Sequence, residues 1–227
     1  MTTFGVLQFP GSCDDRDAVS ACERVGEARF VWHEDRDLGG IDAVVVPGGF
    51  SYGDYLRVGA IARFAPAMES VVEFARDGGP VLGICNGFQV LCEAGLLPGA
   101  LLTNEGLHFV CRQVEIVAEP NLKGARHSLG FLDGIEGGER LSIPVKHTTG
   151  RFYASDDELD RLEESGQIAF RYAAGHNPNG SARDIAGVTN EAGNVLGLMP
   201  HPEHAVDPLT GSEDGLRLLA SVAAVPA

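Results

Sequence analysis

The feature that most constrains the fold is an alternation of short, continuously apolar runs with helical stretches. The apolar runs, rich in β-branched residues, occupy residues 5–9, 29–32, 41–46 and 81–84. Helical patterns separate them, at residues 14–25, 68–76 and 86–94. Strands that are apolar on both faces and alternate with helices form a parallel sheet covered on both sides. We therefore predict a doubly wound, mostly parallel α/β sheet of the flavodoxin-like kind.

The second half of the chain has a different texture, with longer strand-like pieces and Gly and Asn turns. Strand candidates lie at residues 110–117, 141–146, 169–172, 185–189 and 195–199, and a closing helix is predicted at 213–225. With 227 residues, 44% of them hydrophobic, the chain can bury a substantial core. No repeat or linker interrupts it, so we predict one domain over residues 1–227.

Composition excludes several classes of function. A formal net charge of −15 would repel nucleic acid and anionic membranes. There is no apolar run of membrane-spanning length and no basic leader segment. The five cysteines include no C-x-x-C pair, which argues against a disulfide framework or structural zinc and favours the cytoplasm. The acidity, with few lysines, fits either ordinary solubility charge or adaptation to high salt.

A cysteine lies in the sharp turn between a buried strand and a helix, in the segment Gly83-Ile84-Cys85-Asn86-Gly87. Small residues two positions either side permit a nucleophile elbow, which presents the thiol at the carboxyl edge of the sheet. The start of the following helix favours thiolate, and the Asn86 N–H can stabilise an oxyanion. We therefore predict that Cys85 is a nucleophile, although a buried packing cysteine would give the same short pattern.

The candidate base follows a later apolar strand, in the segment Met199-Pro200-His201-Pro202-Glu203-His204. A nucleophile needs a base and a group that orients it. The prolines favour extended backbone, which would place His201 and Glu203 on the same side. A polar loop at a strand end is the alternative. A further turn, Pro47-Gly48-Gly49, ends another strand at the same edge, and the Gly49 N–H is a second candidate oxyanion donor.

Together these motifs resemble those of class I glutamine amidotransferases. The likeness extends to Phe50–Arg57, Asn86–Gln89, Phe109–Arg112 and Asn177–Ser181, by which the chain resembles the glutaminase subunit of phosphoribosylformylglycinamidine synthase, an enzyme of purine biosynthesis. It spans nearly the whole chain. One departure is His147-Thr148-Thr149-Gly150-Arg151, where relatives are expected to carry His-Gly-Glu-Gly-Arg.

The resemblance implies a function and partners. Cys85 would form a γ-glutamyl thioester, His201 would transfer protons, Glu203 would orient it, and Gln89 would lie beside the bound L-glutamine. Ammonia would pass to a synthetase subunit, assisted by a small accessory subunit. Since this chain has no nucleotide-binding motif, ATP and magnesium are expected on that partner, and no metal or cofactor is expected here.

Two other functions remain open from the residues alone. One is another cysteine hydrolase on a related fold, such as a peptidase or deglycase. Those enzymes place their histidine near the elbow, whereas His201 lies 116 residues beyond Cys85. The other is a non-catalytic regulatory module, against which the complete set of Cys85, His201 and Glu203 argues.

Overall fold

A computed structural model describes residues 1–120, 132 and 134–224. The described helices are α1 (Asp15–Cys22), α2 (Pro66–Arg76), α3 (Asn86–Glu93), α4 (Asp156–Glu164) and α5 (Asp214–Ala223). The first strands are β1 (Thr3–Gln8), β2 (Glu27–Trp32), β3 (Ala43–Val46), β4 (Val81–Ile84) and β5 (Ala100–Thr103). The later strands are β6 (Val110–Ala118), β7 (Arg140–His147), β8 (Thr149–Tyr153), β9 (Ile168–Tyr172), β10 (Ile185–Thr189) and β11 (Val195–Leu198).

One large sheet organises the described residues, in the order β2-β1-β3-β4-β11-β10-β9-β6-β7. The first five strands pair in parallel, and their order is the doubly wound, flavodoxin-like arrangement. Strands β3, β4 and β11 are buried along their whole length, which explains their continuous apolar sequences. The predicted α/β class with a mostly parallel sheet is confirmed.

The other half of the sheet is an antiparallel extension from β11. Strands β10, β9, β6 and β7 pair antiparallel in turn. The extension curves back, so that β7 lies beside the segment after β11. There the N–H of His201 donates to the Pro144 carbonyl of β7 at 2.8 Å. An edge strand is thereby brought to the carboxyl end of the parallel half, where ligands bind in folds of this type.

The predicted elements all form, with shifted ends, and three elements were missed. The first helix is shorter than the predicted residues 14–25. Strands β5 and β8 form a small separate ribbon. Helix α4 was missed because its sequence is mostly acidic, and only Leu159 and Leu162 bury a face of it. Residue 225, the last of the predicted closing helix, lies outside the described residues. The one-domain assignment stays a prediction.

Candidate active site

The predicted nucleophile sits in a strained turn between β4 and α3. Cys85 has φ 50° and ψ −102°, a backbone conformation that L-residues seldom adopt outside functional sites. The turn needs Gly87, since a Cβ there would lie 1.8 Å from the Val46 carbonyl oxygen. Cys85 is 6% exposed and lines a pocket of about 100 Å³. The local geometry is therefore that of a nucleophile elbow.

The register between β4 and β11 brings the candidate base beside the cysteine. Ile84 is paired with Leu198, and the Cys85 N–H donates to the Leu198 carbonyl at 2.8 Å. The segment after β11 consequently passes the elbow. His201 Nδ1 and Glu203 Oε1 are 2.6 Å apart, and both side chains are buried.

The expectation of extended backbone in this segment was wrong in detail. Pro202–His204 forms a short 3₁₀ turn, which begins directly after His201. The proline at the first position of that turn suits its fixed φ. The turn, rather than the alternation of a strand, places the Glu203 carboxylate against the imidazole.

The imidazole of His201 is held in its charged form. Burial alone would lower its pKa, but the charges of Glu203 and Cys85 raise the pKa to about 10. The Nε2 atom is buried and has no partner at ordinary hydrogen-bond geometry in the described part of the chain. The contact between Nε2 and the Cys85 thiol is therefore long or poorly aligned, as catalytic contacts often are before substrate binds.

Of the two candidate oxyanion donors, one lines the pocket of this thiol and the other follows Cys85 in the chain. Gly49 lines the same pocket as Cys85, with φ 147°. The Gly48 carbonyl accepts from Cys13 N–H at 3.3 Å and Asp14 N–H at 3.2 Å. Because a trans peptide points its N–H opposite its carbonyl, these bonds fix the direction of the Gly49 N–H. The Asn86 N–H, at the start of α3, has no acceptor within its helix.

Side chains around Asn86 tie the elbow to its surroundings. Asn86 accepts from Ser51 N–H at 3.0 Å and donates to Gln89 Oε1 at 2.8 Å. Gln89 also donates to the Thr149 carbonyl and lines the pocket. The residue predicted to touch glutamine thus also holds the pocket wall formed by Thr149.

The departing segment at residues 147–151 forms that wall from a buried polar cluster. His147 Nδ1 lies 3.0 Å from Asn104 Oδ1, and its Nε2 lies 3.4 Å from Asn179 Nδ2. Burial, with a smaller contribution from the charge of His201, lowers the pKa of His147 to about 4. His147 is therefore neutral at physiological pH and structural in character.

Sequence reasoning missed a charged cluster behind His201. The carboxylate of Asp14 binds the Lys146 ammonium, and its Oδ2 is 3.7 Å from His201 Nδ1. His204 Nε2 lies 3.6 Å from Asp14 Oδ1. The sequence pattern indicates Asp14 only as the first residue of a helix predicted at residues 14–25. A usable signal was that Lys146 is one of just two lysines, placed at the end of a strand.

This cluster has the composition of a metal site. The ligand atoms of Asp14, His201, Glu203 and His204 lie within 4.8 Å of one another. However, the Lys146 ammonium already provides a cation beside Asp14, and Glu203 is engaged with His201. Repulsion from that ammonium opposes a divalent ion, so the absence of a metal stays our prediction.

The remaining cysteines differ from one another in burial. Cys22 is buried, and burial raises its thiol pKa to about 12, as expected of a packing residue. Cys13 and Cys111 are exposed. Of these two, Cys13 lines the pocket beside Asp14.

Comparison with known proteins places the chain in a family. Residues 3–214 match the model of the CobB/CobQ-like glutamine amidotransferase domain. A protein of Rubrobacter xylanophilus named phosphoribosylformylglycinamidine synthase subunit PurQ is 58% identical over 221 residues, which cover 97% of each chain. The chain belongs to the PurQ family. The PurQ protein of Streptomyces avermitilis is 54% identical, over 96% of this chain and 95% of that protein.

A solved PurQ-related structure has the same fold. A chain in the structure of PurLQS from Thermotoga maritima superposes with a TM-score of 0.86 at 41% identity, covering 97% of both chains. In the described part of this PurQ-family chain, none of the helices has the length and apolar character needed to cross a bilayer.

Proposed function

We propose that this chain is the glutaminase subunit of phosphoribosylformylglycinamidine synthase. It hydrolyses L-glutamine to glutamate and ammonia at the Cys85 site. The observation that carries this proposal is the placement of the His201–Glu203 pair beside a strained cysteine elbow, in a chain of the PurQ family. Cys85, His201 and Glu203 supply the nucleophile, the proton carrier and the group that orients it.

In the first half-reaction the Cys85 thiolate attacks the carboxamide carbon of glutamine. The N–H groups of Gly49 and Asn86 stabilise the oxyanion that forms. The imidazolium of His201 gives its proton to the amide nitrogen, the C–N bond breaks and ammonia leaves. Cys85 is left as a γ-glutamyl thioester.

In the second half-reaction the neutral His201 removes a proton from water. The resulting hydroxide attacks the thioester, the C–S bond breaks, and glutamate leaves the Cys85 thiolate beside a recharged imidazolium. Glu203 keeps Nδ1 protonated throughout, so that Nε2 is the atom that exchanges protons. Gln89, which lines the pocket, is proposed to contact the bound glutamine.

Ammonia is then used on a synthetase partner. The relative in the PurLQS structure supports a complex with a large synthetase subunit and a small accessory subunit. We place ATP and magnesium on the large subunit, where formylglycinamide ribonucleotide is aminated, and the complex in the cytoplasm. No cofactor is assigned to this chain.

The docking face is proposed at the pocket mouth. Phe50 and Phe109 line the pocket and are 53% and 52% exposed, and Tyr55 and Leu56 beside them are more exposed still. Apolar side chains of this size, grouped at a site entrance, are typical of protein interfaces. A partner seated there would receive ammonia without its passing through bulk water.

The amino donor of the assembled complex tests the proposal. Cys85→Ser is expected to abolish glutamine-dependent amination and to leave amination from added ammonium chloride unchanged, because Cys85 acts only in releasing ammonia. Cys111→Ser, which removes an exposed thiol on β6, should retain both activities. Glutamine-dependent amination at the wild-type rate in the Cys85→Ser complex would refute the assignment, as would loss of both activities in a correctly assembled one.

A further inference from the structure

Asp14 sits where a helix cap is expected but does not act as one. It is the residue before α1, and its side chain makes no capping hydrogen bond. The carboxylate instead binds the Lys146 ammonium and is 4% exposed. Burying a carboxylate costs free energy unless other groups compensate it, so its surroundings indicate its use.

Both oxygens of this carboxylate face charged or chargeable groups of the site. Oδ1 binds the Lys146 ammonium, and Oδ2 lies 3.7 Å from Nδ1 of His201. Burial alone would raise the pKa of Asp14, but the neighbouring His204, the hydrogen bond from Lys146 and the charge of His201 hold it well below its usual range. Asp14 is therefore an anion throughout the working pH range.

The Lys146 end of the pair also reaches the nucleophile. Burial would lower the pKa of Lys146, but its hydrogen bond to Asp14 and the charges of Asp14, Glu203 and Cys85 raise it instead. The Lys146 carbonyl oxygen lies 3.9 Å from Cys85 Sγ. The half-buried Lys146 side chain thus holds Asp14 beside the imidazole, while the backbone of Lys146 lies against the elbow.

The backbone of Asp14 contacts the oxyanion turn at Gly48 and Gly49. Asp14 N–H donates to the Gly48 carbonyl at 3.2 Å. A Cβ on Gly48 would lie 2.3 Å from Asp14 Oδ2 and 2.8 Å from His201 Cε1. Asp14, His201 and the turn are therefore packed directly on one another.

We propose that Asp14 is a second positioning carboxylate for His201, and that the Asp14–Lys146 pair sets the pH range in which the Cys85 thiolate and His201 imidazolium coexist. This inference rests on the roles proposed above for Cys85 and His201. Glu203 orients the imidazole through its 2.6 Å hydrogen bond, while Asp14 contributes a fixed charge without a direct bond.

The titratable and charged groups around Cys85 and His201 define the electrostatic balance. They are Glu203 and His204 in the turn after β11, Cys13 and Asp14 before α1, and Lys146 and His147 on β7. Asp14 and Lys146 oppose each other. Removing the anion favours proton loss from both Cys85 and His201, whereas removing the cation disfavours it.

The test measures the pH dependence of Cys85 alkylation by iodoacetamide, followed by mass spectrometry of the peptide that contains it. Asp14→Asn keeps the shape of the side chain and removes its charge. We expect the rising limb of the plot of alkylation rate against pH to move to lower pH by about one unit. Lys146→Met should move it up by a similar amount, and the double variant should return it close to wild type. Asp17→Asn removes an exposed charge from the same helix, near His204 but not His201, and should leave the profile unchanged.

A merely structural role would slow alkylation in both single variants without opposite shifts. The proposal would be overturned if the pH–rate profiles of the two single variants did not shift, or shifted in the same direction. If Asp14→Asn does not fold, the profile of Lys146→Met decides the proposal alone. Alkylation needs neither glutamine nor a partner. A chain that failed to hydrolyse glutamine in its complex would refute the proposed function. The alkylation profiles would still test the positioning role proposed for Asp14.

Discussion

The tightest packing at the site gives a quantitative prediction for Gly48→Ala. The new methyl group would lie 2.3 Å from Asp14 Oδ2, where ordinary contacts begin at 3.4 Å, so a displacement of about 1 Å is needed. Asp14 cannot swing aside, because Lys146 holds its carboxylate and its N–H is bonded to the Gly48 carbonyl. The displacement therefore falls on His201 or on the oxyanion turn.

The expected cost is larger for catalysis than for stability. Overpacking of this kind lowers the free energy of unfolding by about 1–3 kcal/mol. A shift of about 1 Å in a catalytic group costs about 100-fold in rate. We therefore expect kcat/KM for glutamine in the assembled complex to fall about 100-fold, with ammonia-dependent amination unchanged.

Gly40→Ala is the matched control for that measurement. Gly40 has φ +71° and no atom within 4 Å of its would-be Cβ, and it lies at the opposite end of the sheet, before β3. It should lose about 1–2 kcal/mol of stability through backbone strain alone and keep full activity. If Gly48→Ala retained wild-type kcat/KM, the packing of Asp14 and His201 on the turn would not control the geometry of the site, and the reasoning above would fail.

Three further predictions follow from charge and from the pocket mouth. With a net charge of −15, self-repulsion is unscreened in dilute buffer, so thermal unfolding should shift upward in molar chloride; an unchanged midpoint would leave the acidity as ordinary solubility charge. The pKa of His147 falls from 6.5 to about 4 on folding, so between these pH values the unfolded chain binds a proton that the folded chain does not. The free energy of unfolding should therefore decrease by up to about 3 kcal/mol as the pH is lowered from 6.5 to 4. Urea titrations should show a flatter acid dependence in His147→Gln, and equal slopes would contradict the assignment. Finally, Tyr52, Asp54 and Leu56 at the pocket mouth have positive φ, so we expect docking to the synthetase to reorganise this loop and to raise glutaminase turnover; equal turnover of the free and assembled chain would exclude it.

The candidate site residues that the sequence indicates, and that the structure brings together, are those that lie in a local pattern. Cys85 lies between glycines that the elbow needs sterically, and His201 and Glu203 are two positions apart in one turn. The parallel half of the sheet was predictable for a similar reason, since strands buried on both faces are apolar throughout.

The features that were missed depend on contacts between distant segments. Asp14 and Lys146 are 132 positions apart and meet only because β7 curves back beside the segment after β11. In the sequence, Asp14 matched a helix start equally well, and local propensity could not separate the two uses. The antiparallel extension and helix α4 were likewise decided by tertiary packing, on which short polar segments depend.

The position of β11 has a consequence for how the enzyme is made. This strand lies between β4 and β10 in the sheet. All four strands of the antiparallel extension therefore lie between Cys85 and His201 in the sequence. During synthesis Cys85 emerges 116 residues before His201, so a nascent chain that ends after Cys85 carries the proposed nucleophile without its proposed base. Since closing so long a loop is among the slower steps of folding, the last central strand to arrive completes the sheet and the site together. Under the proposed mechanism, an unfinished chain that lacks His201 would release no ammonia before a synthetase could capture it.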